Sequence, residues 1–261
     1  MSKLFTAKEY IKYLIAGKSK YYIHSPFVFE FVNEVLNDKR CFYCYEEIES
    51  YRKLLRKKDS VIEIEDYGAG SQFEKKNKRS ISFITKTSSA PEKYAQLLFR
   101  IVEFYNCKNL LELGTSLGIT SLYLSAGNRQ SCVYSIEGSK AIADEAKKTF
   151  EQFSRTNIQL THGLFDEKLL PVLNKIKRLD FLYLDGNHRL KPTLDYFNTC
   201  LPFLHENSIV VLDDIYWSTE MMQAWIEIKK HHSVTLSIDL FRMGILFFRK
   251  DRSKEHFRLY F

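Results

Sequence analysis

Residues 108–137 read KNLLELGTSLGITSLYLSAGNRQSCVYSIE, and this stretch decides the fold of the chain. It predicts a buried strand, a turn that contains Gly114 and Gly118, a helix, and a second strand that ends at the acid Glu137. Glycines leave the backbone of the turn bare, and the free N–H groups of the following helix attract an anionic group. A carboxylate at the end of the second strand is placed to accept hydrogen bonds from a ribose diol. The stretch therefore predicts a site for a nucleoside-containing cofactor.

The spacing of the two glycines narrows the choice of cofactor. Dinucleotide-binding enzymes carry the pattern G-x-G-x-x-G, in which the second glycine makes room for a pyrophosphate. In this chain Ser116 stands at that position, and the spacing is G-x-x-x-G. A pyrophosphate would fit poorly there, whereas the smaller carboxylate of an amino acid does not need the extra room. The turn thus favours a cofactor with an amino-acid carboxylate over a dinucleotide.

Helical and strand patterns alternate from Pro91 onward, which is typical of repeated βα units. The predicted helices cover 91–105, 118–126, 139–154, 167–177, 190–204 and 218–231. The predicted strands cover 109–113, 132–137, 158–161, 179–184, 208–212, 233–239 and 243–249. Only three residues separate the last two strands, so we expect them to pair as an antiparallel hairpin. The prediction is an α/β, Rossmann-like fold with a seven-stranded, mainly parallel sheet and an antiparallel C-terminal hairpin.

The first 87 residues form a different region, predicted as a helical N-terminal cap and a charged loop. Amphipathic runs at 7–15 and 45–57, and the helix start at Pro26, have apolar stripes that must be buried against the main domain at 88–261. A second glycine turn, Gly68–Gly70, precedes a charged run without an apolar face. We therefore assign the cofactor to the Gly114 turn. The Gly68 turn is either a lid beside the site or a plain surface turn.

The stretch from Glu112 to Thr120 closely resembles the first motif of class I S-adenosylmethionine-dependent methyltransferases. The likeness is greatest to small-molecule O-methyltransferases of the catechol and macrolide-sugar types, and it extends from Pro91 to Arg249. It implies S-adenosylmethionine as cofactor and residues 88–261 as the domain that binds it. The cofactor-binding residues so predicted are Glu112, Gly114, Thr115, Ser116, Thr120, Glu137, Gly163 and Phe165. In this set Thr120 alternatively caps its helix, and Phe165 either stacks on the adenine or packs in the core.

Three further acids follow directly on two predicted strands. Asp185 ends the strand at 179–184, and Asp213 and Asp214 end the strand at 208–212. Acids at such positions are often helix caps, but three carboxylates that converge repel one another unless a cation or a proton offsets their charge. Oxygen ligands of this kind suit Mg²⁺. In metal-dependent O-methyltransferases similar to this chain, the matching positions hold Mg²⁺, so the resemblance implies a magnesium site at these three residues.

His188 is the predicted base of the reaction, and Asp185 is the second residue predicted to be catalytic. The run Asp185-Gly-Asn-His188 resembles the antibiotic-sugar members of the family, in which a histidine three residues after the metal-binding aspartate takes the proton. Catechol-type enzymes carry lysine there, which disfavours catechol as the substrate. The predicted chemistry is deprotonation of a small-molecule hydroxyl polarised by Mg²⁺, followed by attack on the sulfonium methyl group. The alternative for His188 is a helix-terminal or surface imidazole.

Composition and charge narrow the classes of function that the chain can have. The chain has 261 residues, 39 Lys and Arg against 32 Asp and Glu, and a net charge of +7. The basic residues are scattered among acids, so solvated helix faces are favoured over a nucleic-acid surface. There is no apolar run long enough for a membrane span and no signal-peptide pattern, and the five cysteines suit a reducing compartment. We expect a cytoplasmic protein that acts on a small-molecule acceptor and does not bind a membrane. Its oligomeric state stays open, with a homodimer as one option.

Three rival functions stay open at this point. An RNA methyltransferase fits the positive charge, but neither the Asn/Asp-Pro-Pro-Tyr loop nor a Pro-Cys nucleophile is present. An NAD-dependent oxidoreductase would need a third glycine in the turn and a Tyr-x-x-x-Lys pair near the strand ends. A catalytically silent, cofactor-binding subunit is compatible with every motif, because the motifs report on binding more directly than on turnover.

Overall fold

The structure, a computed structural model, describes residues 3–17, 24–65, 78–250 and 253–261. The Gly68–Gly70 turn lies outside these residues. In the described part, the N-terminal region forms the helices α1 (Lys3–Ala16), α2 (Pro26–Phe31), α3 (Tyr43–Leu55) and α4 (Ile81–Thr87), and a π-helical turn (Val32–Leu36) continues α2. A small antiparallel pair of strands, β1 (Val61–Glu63) and β2 (Lys78–Ser80), precedes α4.

A large mixed sheet with helices on both faces forms the body of the protein. Its strands are β3 (Asn109–Leu113), β4 (Cys132–Glu137), β5 (Ile158–His162), β6 (Leu179–Leu184), β7 (Leu204–Leu212), β8 (Leu236–Asp239), β9 (Gly244–Phe247) and β10 (Glu255–Arg258). They lie in the order β10-β8-β9-β7-β6-β3-β4-β5. The helices are α5 (Glu92–Phe104), α6 (Ile119–Gly127), α7 (Lys140–Gln152), α8 (Phe165–Ile176), α9 (Leu190–Cys200) and α10 (Thr219–Lys230).

The predicted Rossmann-like fold and its C-terminal hairpin are confirmed. Strand β9 pairs antiparallel with both β8 and β7, while β3 to β7 pair in parallel. The predicted number of seven strands was one too few, because β10 adds an eighth strand parallel to β8. A second difference is α4, which lies in the stretch predicted as a charged loop. Its Ser80 N-cap accepts a hydrogen bond from the N–H of Phe83.

The N-terminal helices pack on the sheet through a shared apolar cluster and one buried ion pair. Phe27 and Phe31 of α2 both contact Phe247 of β9 edge-on, with ring centroids 5.0 and 5.8 Å apart. In α3, the Nε of Arg52 lies 3.0 Å from the Oε1 of Glu49, and Glu49 also accepts a hydrogen bond of 2.9 Å from the hydroxyl of Tyr123 in α6. Burial of the two charges is tolerated because they are paired, and Nη1 of Arg52 also donates to the carbonyl of Ala90 at 2.7 Å. The hydrogen bond from Tyr123 ties the ion pair of α3 to α6.

Substitution of Glu49 tests this tie. Glu49→Ala leaves the guanidinium of Arg52, which is 1% exposed, without its carboxylate. An uncompensated buried charge is costly, so we expect the free energy of unfolding to fall by about 3 kcal/mol in urea denaturation. The control is Asp195→Ala, which removes the partner of Lys191 in an exposed pair and should cost less than about 1 kcal/mol. Equal losses in the two variants would contradict the role given to Glu49.

None of the helices in the described ranges is long and apolar enough to cross a membrane.

Candidate active site

The turn after β3 has a backbone that only glycine adopts without strain. Gly114 has φ +101°, and a Cβ atom there would overlap the carbonyl oxygen of Asp185. Gly118 has φ +83° at the N-terminus of α6, where a Cβ would meet the ring of Phe150. Gly114 thus allows the turn to lie directly against the residue that follows β6, and Gly118 allows it to lie against α7. The first contact places the predicted cofactor turn beside Asp185.

Glu137 lies at the end of β4, as predicted, and holds the turn in place. Its Oε2 accepts a hydrogen bond of 3.0 Å from the backbone N–H of Ser116, whose φ is +49°, and its Oε1 accepts one of 3.0 Å from the N–H of Ser139. The backbone N–H groups of Gly138 and Thr115 also face this carboxylate, which can accept about four hydrogen bonds. Burial raises the pKa of Glu137, and the hydrogen bonds from the backbone N–H groups oppose that rise. The residue therefore orders the turn.

Glu112 lies beneath the turn and is wholly buried. The hydroxyl of Ser121 donates to its Oε2, and so does that of Ser135, at 2.6 Å. Because Ser135 uses its hydrogen in this bond, Thr115 donates the 2.6 Å bond between Thr115 Oγ1 and Ser135 Oγ. This chain of hydroxyls joins β3, the turn, β4 and α6. The serine partners of Glu112 were not identified from the sequence.

The pKa of Glu112 is raised from an ordinary 4.5 to about 7 by burial. Because the folded pKa exceeds the unfolded one, the folded state holds this proton more tightly. Stability contributed by the protonated form is therefore complete below pH 4.5 and is lost as the pH rises toward 7.

Glu112→Gln should remove this pH dependence. The variant keeps an oxygen for the two serine hydroxyls but cannot ionise. We expect its free energy of unfolding, relative to that of the unsubstituted protein, to be about 2 kcal/mol larger at pH 8 than at pH 5, so the variant is relatively more stable at pH 8. Denaturant unfolding at the two pH values measures the difference. Asp144→Asn, at an exposed carboxylate of α7, should show the same relative stability at both. Parallel behaviour of the two variants would contradict the assignment.

The other predicted cofactor residues lie around the same edge of the sheet. Gly163 follows β5 with φ +141°, and its N–H donates to the carbonyl of Glu137 at 2.9 Å. The ring of Phe165 lies over Gly186 and meets the ring of Tyr196 edge-on, with centroids 5.5 Å apart. Thr120 is buried within α6. Phe165 therefore packs against the segment that follows β6.

The three predicted metal-binding carboxylates do converge. The hydroxyl of Tyr183 donates to Asp213 Oδ2 at 2.9 Å and approaches Asp185 Oδ2 at 3.3 Å. Asp214 follows with φ +52°, and its N–H donates to Asp213 Oδ1 at 2.9 Å. Burial and the charges of Asp213 and Asp214 raise the pKa of Asp185 well above its usual range, and burial and Asp213 raise that of Asp214 to about 7.

A guanidinium group that sequence reasoning missed lies among these carboxylates. Arg242 donates from Nε to Asp213 Oδ1 and from Nη2 to Asp213 Oδ2, both at 3.0 Å. The same Nη2 lies 3.2 Å from Asp214 Oδ1. Arg242 sits in the turn between β8 and β9, where it belongs to no motif. The one feature of the sequence that could have placed Arg242 here is the predicted hairpin. An antiparallel partner of β7 must begin at the edge where β7 ends, so the turn before it lies near Asp213.

This arrangement does not fit a metal ion at the three acids. Both oxygens of Asp213 already accept hydrogen bonds from Arg242, and the side chain is 0% exposed. In the part of the chain that the structure describes, no group of three or more His, Cys, Asp or Glu side chains could hold a metal ion. The predicted magnesium site is therefore not confirmed.

His188 lies beside the acidic cluster and is 23% exposed. Its Nε2 is 3.6 Å from Asp185 Oδ1, and its ring lies 5.6 Å from that of Trp217. Burial lowers the pKa of His188. The imidazole is thus neutral at neutral pH and has a nitrogen lone pair with which to accept a proton.

Helix α1 covers the same side of the sheet. The rings of Tyr10 and Tyr13 lie 4.9 and 5.4 Å from that of Phe241, which directly precedes Arg242. On the other side, Phe241 stacks on Tyr216 at 5.2 Å. Tyr10 is 45% exposed, so this aromatic cluster reaches the surface near the guanidinium.

Comparison with known proteins places this geometry in context. Residues 111–215 match a family model described as a methyltransferase domain. A methyltransferase of Podospora anserina, solved with bound SAH, has a TM-score of 0.61 and 11% identity, over 87% of this chain and 98% of that one. The O-methyltransferase of Bacillus cereus, also with SAH, has a TM-score of 0.55 and 15% identity, over 85% and 97%.

Two further relatives complete the comparison. TomG, an O-methyltransferase of Streptomyces achromogenes involved in tomaymycin synthesis and solved with SAM, has a TM-score of 0.53 and 16% identity, over 62% of this chain and 82% of that one. An uncharacterized protein of Acanthamoeba polyphaga mimivirus is 30% identical over 64 residues, which are 23% of this chain and 29% of that protein. The match thus spans less than a third of that relative.

Residues 111–215 thus match a methyltransferase domain, and the fold is that of the solved O-methyltransferases. The resemblance identified from the sequence is confirmed.

Proposed function

We propose that the protein transfers a methyl group from S-adenosylmethionine to a hydroxyl of a small molecule. The observation that carries this proposal is the contact between the Gly114 turn and Asp185, which sets the predicted cofactor site next to His188. A donor methyl bound at the turn and a hydroxyl bound at the histidine would then meet at one edge of the sheet. Positioning of this kind supplies much of the acceleration of a transfer reaction.

The residues of the turn have the chemistry for the cofactor. Glu137 offers two charged oxygens to the ribose diol, and the N–H groups at the start of α6 suit a carboxylate. Phe165 and the Gly163 turn lie where the resemblance puts the adenine. Bound in this way, S-adenosylmethionine supplies an electrophilic methyl group.

Calorimetric titration with S-adenosylmethionine and with NAD⁺ tests the assignment. We expect saturable binding of S-adenosylmethionine with Kd of about micromolar size, and none of NAD⁺. Glu137→Ala should weaken the binding at least about tenfold, because two charge-assisted hydrogen bonds are lost. That effect should disappear with an analogue that lacks both ribose hydroxyls.

The matched control is Asp180→Ala. Asp180 also accepts from two backbone N–H groups, those of Lys108 and Asn109 at 2.9 Å, but at the opposite end of the parallel strands. Its removal should leave the affinity unchanged. Binding of NAD⁺ in place of S-adenosylmethionine would refute the proposal, and full affinity of Glu137→Ala would refute the ribose contact.

His188 would act as the base in the reaction. Its Nε2 accepts the hydroxyl proton as the oxygen attacks the methyl carbon, and the carbon–sulfur bond breaks. The products are a methyl ether, S-adenosylhomocysteine and an imidazolium that the nearby carboxylates stabilise. No covalent intermediate with the protein is needed.

Replacement of His188 should separate chemistry from binding. We expect His188→Ala to lower turnover by about 10²-fold while the affinity for S-adenosylmethionine is unchanged. Turnover is measured as S-adenosylhomocysteine formed with a panel of hydroxyl compounds, each with EDTA or with Mg²⁺. The control is His205→Ala, whose imidazole pairs with Asp180 at 2.9 Å, far from the turn. If the two variants are equally active, His188 has no part in the reaction.

Magnesium is not included in this proposal, although the resemblance implies it. Asp185, Asp213 and Asp214 would be its ligands, and Arg242 already uses the oxygens of Asp213. The acceptor, the cytoplasmic location and the homodimer stay predictions from the sequence.

A further inference from the structure

Hydrogen bonds of both the backbone and the side chain fix Arg242 at the acidic cluster. Its carbonyl accepts a hydrogen bond of 3.0 Å from the N–H of Ile215, and its N–H donates to the carbonyl of Leu240 at 2.8 Å. The preceding Phe241 has φ +65°, a backbone conformation that is strained for a bulky residue. Strain of this kind persists only where the surroundings fix it. The turn therefore places the guanidinium with little freedom.

The guanidinium supplies positive charge to the acidic cluster. Three carboxylates at one sheet edge repel one another, and a planar, permanently charged fork on Asp213 and Asp214 offsets that repulsion. A divalent ion would have to displace the two hydrogen bonds to Asp213 and then lie beside a second positive charge. Both steps are unfavourable in a buried site.

One edge of the guanidinium remains for a ligand. The contacts to the acids use Nε and Nη2, and among the described residues none accepts a hydrogen bond from Nη1. The side chain is 29% exposed, whereas its partner Asp213 is fully buried. An N–H group of a cation is a strong donor to an oxygen that gains negative charge.

We propose that the guanidinium of Arg242 takes the place of a divalent cation in the acceptor site, so that the hydroxyl oxygen is bound and polarised by Nη1 without a metal. This inference rests on the proposed methyl transfer and defines its acceptor side. The geometry that carries it is the paired contact of Arg242 with Asp213 and Asp214. It predicts an acceptor whose reacting oxygen develops negative charge, and a site that binds no divalent ion while Arg242 is present.

Binding of Mn²⁺ to the full chain tests the inference without any need for an acceptor. By calorimetry, the unsubstituted protein should show no saturable Mn²⁺ binding up to about 1 mM. Arg242→Met removes the charge and leaves three carboxylates without a counterion, so it should bind Mn²⁺ at least about tenfold more tightly. Arg242→Lys keeps the charge and should behave like the unsubstituted protein.

The chain offers a matched control in Arg258, which makes the same type of contact elsewhere. Arg258 donates from Nε to Asp239 Oδ2 at 3.1 Å, and Tyr216 donates to the same oxygen at 2.7 Å. Among the residues that the structure describes, one carboxylate contacts Arg258, so Arg258→Met should gain no Mn²⁺ binding. This variant reports whether loss of a partly buried arginine alone opens a metal site.

S-adenosylhomocysteine is titrated into the same samples to separate the two proposals. Mn²⁺ binding by the unsubstituted protein that is lost in Asp213→Asn would overturn the inference about Arg242. So would Arg242→Met that binds S-adenosylhomocysteine normally but gains no affinity for Mn²⁺. If Arg242→Met does not fold, the titrations of the unsubstituted protein and of Arg242→Lys decide the matter. Failure of every sample to bind S-adenosylhomocysteine would instead refute the proposed function.

Discussion

The contact between the backbones after β3 and β6 is the constraint on which the rest of the site depends. Gly114 lies against the carbonyl of Asp185 so closely that a Cβ atom has no room, and the N–H of Asp185 donates to the carbonyl of Leu113 at 3.0 Å. On its other side, the N–H of Gly114 donates to the carbonyl of Ile136 at 3.1 Å. The carboxyl ends of β3, β4 and β6 are therefore held together by backbone hydrogen bonds. These bonds fix the position of the predicted cofactor turn relative to the acids.

The antiparallel strand β9 explains how a cation reaches the acids. Parallel strands all end at one edge of the sheet, so the residues at their carboxyl ends can be assigned to that edge from the sequence. Strand β9 runs the other way and begins at that edge, since Gly244 pairs with Leu212. The turn before it consequently lies over Asp213 and delivers Arg242. The hairpin thus supplies charge to the site as well as pairing to the sheet.

Sequence patterns predicted the features that depend on residues close together along the chain, such as strands and the residues that end them. The strands β3, β4 and β6 and the second half of β7 are mainly apolar, and Glu137 and Asp213 directly follow such runs, so their positions at the edge could be read from the chain. The pairing of Asp213 with Arg242 could not, because it depends on strand order and on the strained backbone of Phe241. Strand β10 was missed because Glu255–Arg258 is mostly polar and gains its place from pairing with β8.

The two halves of the site are built from different parts of the chain. The predicted cofactor residues lie in β3, β4, the turns after β3 and β5, and the first residues of α6 and α8, all within one compact run of βα units. On the acceptor side, Arg242 is flanked by Phe241, against which Tyr10 of α1 packs. The last residues of the chain hold α1 there, since Tyr260 donates to the carbonyl of Leu14 at 2.7 Å. On the proposed function, changes in α1 and in the hairpin turn would therefore act on the side of Arg242, away from the Gly114 turn.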